Sequence, residues 1–221
     1  MSKESTLKPA LEAAISSFGL DALTEQQLDQ CASHYDLLCR WNRRVNLTRI
    51  IEPREAARFH YAESIFGARL IENERTVLDI GSGAGFPAIP LAIMRPDLEV
   101  TALETNQKKS LFLKEAKDDL GLTNLRIATA RLEEFDWTAY QLLTSRALEK
   151  AETVFQSVIE SMACPQRLML YCAADLAAKL EQHLPAECVI TPHAIPESES
   201  RLVAIFSFIP THIRGPANRG C

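Results

Sequence analysis

Hydrophobic positions change their period once along the chain. In the first third they recur at helical spacing. Leu7, Leu11, Ile15 and Phe18 share one helix face, and Gly19 suits the stop that follows. Thr24-Glu25-Gln26-Gln27 has the form of a capping box, so a second helix starts there, with Leu28, Cys31, Tyr35, Leu38 and Trp41 along one side. Pro53 is placed to open a third helix, with Ala57, Tyr61 and Ile65 inward. No strand signal precedes Thr76. Beyond it, short apolar runs alternate with helical ones. Val77–Ile80, Val100–Leu103, Leu125–Ala128, Leu142–Ser145, Arg167–Cys172, Cys188–Thr191 and Leu202–Phe208 are seven strand candidates. Helices are expected after Pro87, from Thr105 to Leu120-Gly121, over 150–162 and over Ala174–His183. This alternation predicts an α/β fold: a seven-stranded, Rossmann-like and mostly parallel sheet with right-handed crossovers and one antiparallel edge strand. The expected division is an N-terminal helical cap over 1–74, the α/β domain over 75–209 and a loose, mildly basic tail over 210–221.

The stretch from Val77 to Glu104 carries the chemistry. A strand leads into Gly81-Ser82-Gly83-Ala84-Gly85, then a helix, then a second strand ending at Glu104. Glycines let a ligand approach the main chain closely. The helix that follows offers free N–H groups. A carboxylate at the tip of the second strand can accept from both ribose hydroxyls, and Glu104 follows Gly81 at about the 20-residue spacing such sites use. A dinucleotide loop reads G-x-G-x-x-G. Here the glycines are closer and Asp79 precedes them, a pattern similar to motif I of S-adenosylmethionine (SAM) dependent methyltransferases. SAM presents an ammonium and no phosphate, which suits nearby acids. The spacing disfavours a nicotinamide cofactor.

Composition adds bounds. Net charge is −5 over 221 residues, so any nucleic-acid contact must come from a local patch. One exists: arginines 40, 43, 44, 49, 54 and 58 face only Glu52 and Glu55, with Trp41, Asn42 and Asn46 interleaved. Arginine, amide and aromatic side chains suit phosphate and unstacked bases. Charge alone fits a solvated helix face equally well. The six cysteines are scattered with no zinc spacing, the N-terminus has no signal-peptide form, and no apolar run spans a bilayer. A soluble, reduced, cytoplasmic monomer without metal is expected. After the third strand, Leu132 could pack on an adenine ring and Glu133 could accept its amino proton. Arg146, at the C-terminal end of the fourth strand, stands where open sheets place their sites.

Longer motifs now point to one family. Tyr35-x-x-Leu38-x-x-Trp41-Asn42-x-x-x-Asn46-Leu47-Thr48, Arg58-x-His60-x-x-Glu63-Ser64, the run from Val77 to Leu91 with Pro87 and Pro90, and Ser145-Arg146-Ala147 resemble the RsmG/GidB family of bacterial small-subunit (16S) rRNA guanine-N7 methyltransferases. The resemblance implies a SAM-dependent methyltransferase domain. It places Gly81, Gly83, Gly85, Phe86, Glu104, Leu132, Glu133 and Arg146 at the cofactor, with Arg146 also in the active site. It puts Arg43, Arg44, Asn46 and His60 toward RNA, and implies small-subunit rRNA or a 30S particle as partner. Guanine N7 has an in-plane lone pair and no proton, so it needs alignment rather than a general base. The chain departs from the family at Glu63 (more often Asp), at Gln141 (often Asp) and at Ala173-Ala174 (usually Lys-Gly), and Leu148-Glu149-Lys150 is more charged than usual. These departures keep open a second reading: a catalytically weak SAM-binding, ribosome-associated factor.

Overall fold

The computed structural model describes residues 6–146, 155, 158–159, 161, 166–186 and 188–208. The cap begins with α1 (Leu7–Ser17) and α2 (Glu25–Asn42). The capping box at the start of α2 forms as expected. The Thr24 hydroxyl accepts from the Gln27 N–H at 3.3 Å, and the Gln27 side chain accepts from the Thr24 N–H at 2.9 Å. α3 (Pro53–Glu55) has Pro53 at its start and runs without a break through a π-helical segment (Ala56–Ala62) into α4 (Glu63–Ala68). That widened turn is absent from the sequence reading. Seven residues are too few for hydrophobic spacing to separate it from an α-helix, yet such turns gather at functional sites.

The seven expected strands all form: β1 (Thr76–Ile80), β2 (Glu99–Leu103), β3 (Leu125–Ala128), β4 (Leu142–Arg146), β5 (Arg167–Ala173), β6 (Cys188–Ala194) and β7 (Arg201–Phe208). Their order is β3-β2-β1-β4-β5-β7-β6. β1 to β5 are parallel, and β7 pairs antiparallel with both β5 and β6. The order reverses between β1 and β4, the switch point at which open α/β sheets bind ligands. α5 (Ala88–Met94), α6 (Gln107–Asp119) and α7 (Ala174–Glu181) complete the layers. Pro90 sits in the first turn of α5, where helix N–H groups have no intrahelical partner. Of the helix expected over 150–162, Phe155, Val158, Ile159 and Ser161 are described and helical. Ala147, Leu148-Glu149-Lys150, Cys164-Pro165 and the tail 210–221 lie outside the described residues.

Apolar side chains divide between the two faces of the sheet. Leu168, Leu170 and Phe206 face a cluster with Leu78, Leu143 and Phe155, whereas Met169 and Val203 face one with Ile89 and Phe112. Leu11, Leu38 and Tyr61 of the cap belong to the second cluster. Leu11 and Leu38 are fully buried, and each such leucine contributes about 2 kcal/mol. The cap is thus packed onto one face of the sheet, and its far end reaches the switch point.

Candidate active site

Two cavities open at the C-terminal edge of the parallel strands. The larger, about 920 Å³, is lined by the loop Gly81–Ala84, Phe86, Arg146 and Arg201 from the sheet side and by 46–50, Phe59 and His60 from the cap. The smaller, about 530 Å³, is lined by 105–107, Thr129, Ala130, Arg131 and Glu134.

The glycine loop lies between them. Gly81, Gly83 and Gly85 have φ of 73°, 54° and 84°, a region that side chains disfavour. The Gly81 and Ser82 N–H groups both donate to the Leu103 carbonyl, at 2.9 and 3.1 Å, which draws the loop against β2. The glycines do not serve alike. Gly81 and Gly83 line the larger cavity. Gly85 faces inward, where a Cβ would stand 2.4 Å from Ile89 Cδ1. Glu104 is buried beneath the loop. Its Oε2 accepts from the Gly83 N–H at 2.9 Å and its Oε1 from the Asn106 N–H at 2.8 Å, so one carboxylate joins a wall of each cavity.

Asp79 is fully buried, and neither carboxylate oxygen has a hydrogen-bond partner. Burial pushes its pKa up to about 7. In the unfolded chain the group ionises near 3.8, so between about 4 and 7 the folded state holds the extra proton. Stability from this group is therefore present in acid and is lost as pH rises through that window. Relative to Asp79→Asn, the wild type should lose a few kcal/mol over it in denaturant titrations. Parallel curves for the two proteins would show instead that the carboxylate has a partner.

A stacked group closes the larger cavity. The His60 ring lies on Phe86 at 4.5 Å and 18°, with the Arg146 guanidinium 5.4 Å from the same ring centre. Arg146 donates to the Phe59 carbonyl and to His60 Nδ1. Burial, aided by the Arg146 charge, lowers the His60 pKa to about 3, so its imidazole is neutral. Burial also lowers Arg146 to about 10, against the pull of Glu63, and the guanidinium remains charged at neutral pH. Glu63 is buried and is gripped by Arg201 at 2.9 and 2.7 Å, with Arg146 at 4.0 Å. The sequence reading missed Arg201. It lies 138 residues from Glu63, and no local pattern marks it. It is the Cα partner of Ala173 in the β5–β7 register, so this edge carries a cation although residues 173 and 174 are alanines. Gln141 lies at the opposite end of β4, where it accepts from the Arg75 N–H at 2.6 Å, and so does not touch the site.

The stretch from Tyr35 to Thr48 shapes the cap wall. The Asn42 side chain accepts from the Leu47 and Thr48 N–H groups at 2.8 and 3.1 Å and donates to the Thr48 carbonyl at 3.0 Å. Trp41 donates to Glu115 at 3.1 Å and packs edge-on against Phe112. These two residues bond within the fold, which for them favours the structural one of the two readings that the charge pattern left open. Arg40, Arg43, Arg44, Arg49 and Arg54 are exposed, and among the described residues none has an ion-pair partner. Arg58 is held by Glu197. Asn46 and His60 line the larger cavity, and so does Lys109 on the first turn of α6. Leu132 packs toward the cluster of Leu78, Leu143 and Phe155, Glu133 is exposed, and the neighbouring Glu134 lines the smaller cavity. Among the described residues, no helix is long and apolar enough to cross a membrane, and no group of three or more His, Cys, Asp or Glu is placed to hold a metal ion.

Known proteins share the family and the fold. A family model described as rRNA small subunit methyltransferase G (GidB) matches residues 27–196. Ribosomal RNA small subunit methyltransferase G of Neisseria meningitidis serogroup C (strain 053442) is 39% identical over 140 residues, covering 63% of this chain and 67% of that one. The protein of the same name from Solibacter usitatus (strain Ellin6076) is 38% identical over 154 residues, covering 68% and 72%. Among solved structures, the ribosomal protein L11 methylase from Lactobacillus delbrueckii subsp. bulgaricus is similar with a TM-score of 0.56 at 14% identity, over 69% of this chain and 79% of that one. That likeness concerns the methyltransferase fold alone. The family match spans the cap signature, the glycine loop and Arg146 together, and on that ground the chain belongs to the rRNA small subunit methyltransferase G (GidB) family.

Proposed function

We propose that this chain transfers a methyl group from SAM to N7 of a guanine in small-subunit (16S) rRNA. The observation that carries the reading is the larger cavity, which joins the glycine loop to a cap surface bearing unpaired arginines.

SAM, when bound, supplies an electrophilic methyl group on a sulfonium. The residues present fit it. Asp79 offers a buried, unpartnered carboxylate beneath the loop, suited to a cationic ligand. Gly81 and Gly83 leave room for close approach, and Glu104 stands where ribose hydroxyls would find an acceptor. An adenine bound in the smaller cavity would meet Glu134, next to Leu132 and Glu133 in the chain. Phe86 and Arg146 wall the methyl side, and Gly85 keeps the turn.

Guanine N7 attacks through a lone pair and gives up no proton, so the protein has only to align the reactants and exclude water. The groups here agree with that requirement. His60 is neutral and its Nδ1 is occupied by Arg146, which leaves it unsuited to act as a base. Arg146 acts by holding the His60–Phe86 wall in place. The target guanine must be accessible in a loop or an unpaired stretch, because N7 faces the narrow major groove of an RNA helix.

Arg43 and Arg44 would meet RNA phosphate. Arg43→Ala with Arg44→Ala should weaken binding of small-subunit RNA and reduce the slope of log affinity against log salt by about 1 to 2, as expected for two lost phosphate contacts. SAM affinity should not move. Unchanged RNA binding at low salt would remove these two residues from the interface. The reading of a weak SAM-binding factor is not favoured, since the departures at Gln141 and Ala173 leave the cavity walls intact.

A further inference from the structure

We propose that the Thr48 hydroxyl selects the target base by donating a hydrogen bond to O6 of guanine. The inference rests on the guanine-N7 reading and names the residue that tells guanine from adenine.

Hydrogen-bond directions around His60 carry the argument. A guanidinium has only donors. His60 Nδ1, bonded by Arg146, is therefore the accepting nitrogen, and the proton of the neutral ring sits on Nε2. Nε2 lies 2.9 Å from Thr48 Oγ1 and donates toward it, with the Ile50 backbone as a second neighbour of the ring. The Ile50 N–H donates to the same oxygen at 3.1 Å. A hydroxyl oxygen has two lone pairs, and both are now occupied. Thr48 is left with its O–H alone, as a donor. Among the described residues no acceptor receives it, and Thr48 lines the larger cavity beside the glycine loop.

The cavity wall thus presents a donor that is barred from turning into an acceptor. Guanine carries the acceptor O6 next to N7 on the same edge, whereas adenine carries an amino donor there. With N7 directed at the methyl group, guanine O6 meets the Thr48 O–H. Adenine would set donor against donor. Arg146 and His60 serve as positioning residues, since together they fix the one-way direction of the bond.

The test compares bases at the mapped target position in reconstituted small-subunit particles. 2-Aminopurine keeps N7 and lacks O6, and 2,6-diaminopurine puts an amino group in its place. Wild-type enzyme should prefer guanine over 2-aminopurine in kcat/KM, in part through one hydrogen bond worth on the order of tenfold. Thr48→Val should reduce that ratio on the order of tenfold, and Thr48→Ser should restore it. Intrinsic differences in N7 reactivity cancel in the comparison. SAM affinity, measured separately by calorimetry, should stay within a few-fold. An unchanged ratio in Thr48→Val overturns the proposal. Lost SAM affinity at an unchanged ratio overturns it too, because the hydroxyl would then serve the SAM carboxylate. Should Thr48→Val fail to fold, Thr48→Ala takes its place in the same ratio, and an unchanged ratio overturns the proposal. Absence of 7-methylguanosine from the wild-type reaction on guanine defeats the underlying reading, and the proposal with it.

Discussion

Arg146→Ala should lower kcat on the order of a hundredfold or more, while SAM affinity should change far less. The guanidinium makes two directed bonds, to the Phe59 carbonyl and His60 Nδ1, and lies over Phe86. Removing it frees the His60 ring and lets the wall of the cavity shift. A displacement of about 1 Å in aligned reactants costs on the order of a hundredfold in rate. The variant should still fold, because Glu63 keeps both bonds from Arg201 and is not left as an uncompensated buried charge. Arg146→Lys should recover little, since one ammonium does not reproduce a planar fork that donates in two directions. Single-turnover kinetics at saturating SAM would measure this. Near-normal turnover in Arg146→Lys would mean that charge suffices and the fork does not matter.

Glu104→Ala should weaken SAM binding on the order of a hundredfold or more. Charge-assisted hydrogen bonds are worth about 1.5 to 3 kcal/mol each, and the proposed site loses two acceptors for ribose at once. The same substitution unpins the loop, since the Gly83 and Asn106 N–H groups lose the carboxylate that orders them. Both lie in partly open segments, where water can replace it, so the protein should fold. Glu104→Gln keeps one oxygen acceptor and should fall between alanine and wild type. Calorimetric titration with SAM separates these cases. A folded Glu104→Ala protein with wild-type affinity would exclude Glu104 from the cofactor site.

Parts of the site were legible in sequence for a physical reason. Close approach of a ligand to main chain demands glycine over a short local run, and a parallel sheet demands alternating apolar runs. Both requirements write themselves into neighbouring residues, so the tight glycine turn, the carboxylate just past β2 and the seven strands could be read. The capping box at Thr24 could be read for the same reason. Long-range pairing leaves no such record. Arg201 reaches Glu63 only because β7 runs back beside β5. The charge pattern left Trp41 and Asn42 between a nucleic-acid face and a structural one, and only the folded loop shows which groups they bond. Gly85 and Gly81 look alike in sequence, yet one faces Ile89 and the other the cavity. After β3, a single 3-10 turn over Leu132–Glu134 decides which of two adjacent acids lines the smaller cavity.

The most direct measurement is methyl transfer from labelled SAM to small-subunit particles that lack the modification, followed by complete digestion and identification of the labelled nucleoside. The account predicts label in 7-methylguanosine, at a single position of the small-subunit rRNA. Label on another atom or on protein, or tight SAM binding with no transfer at all, would contradict it.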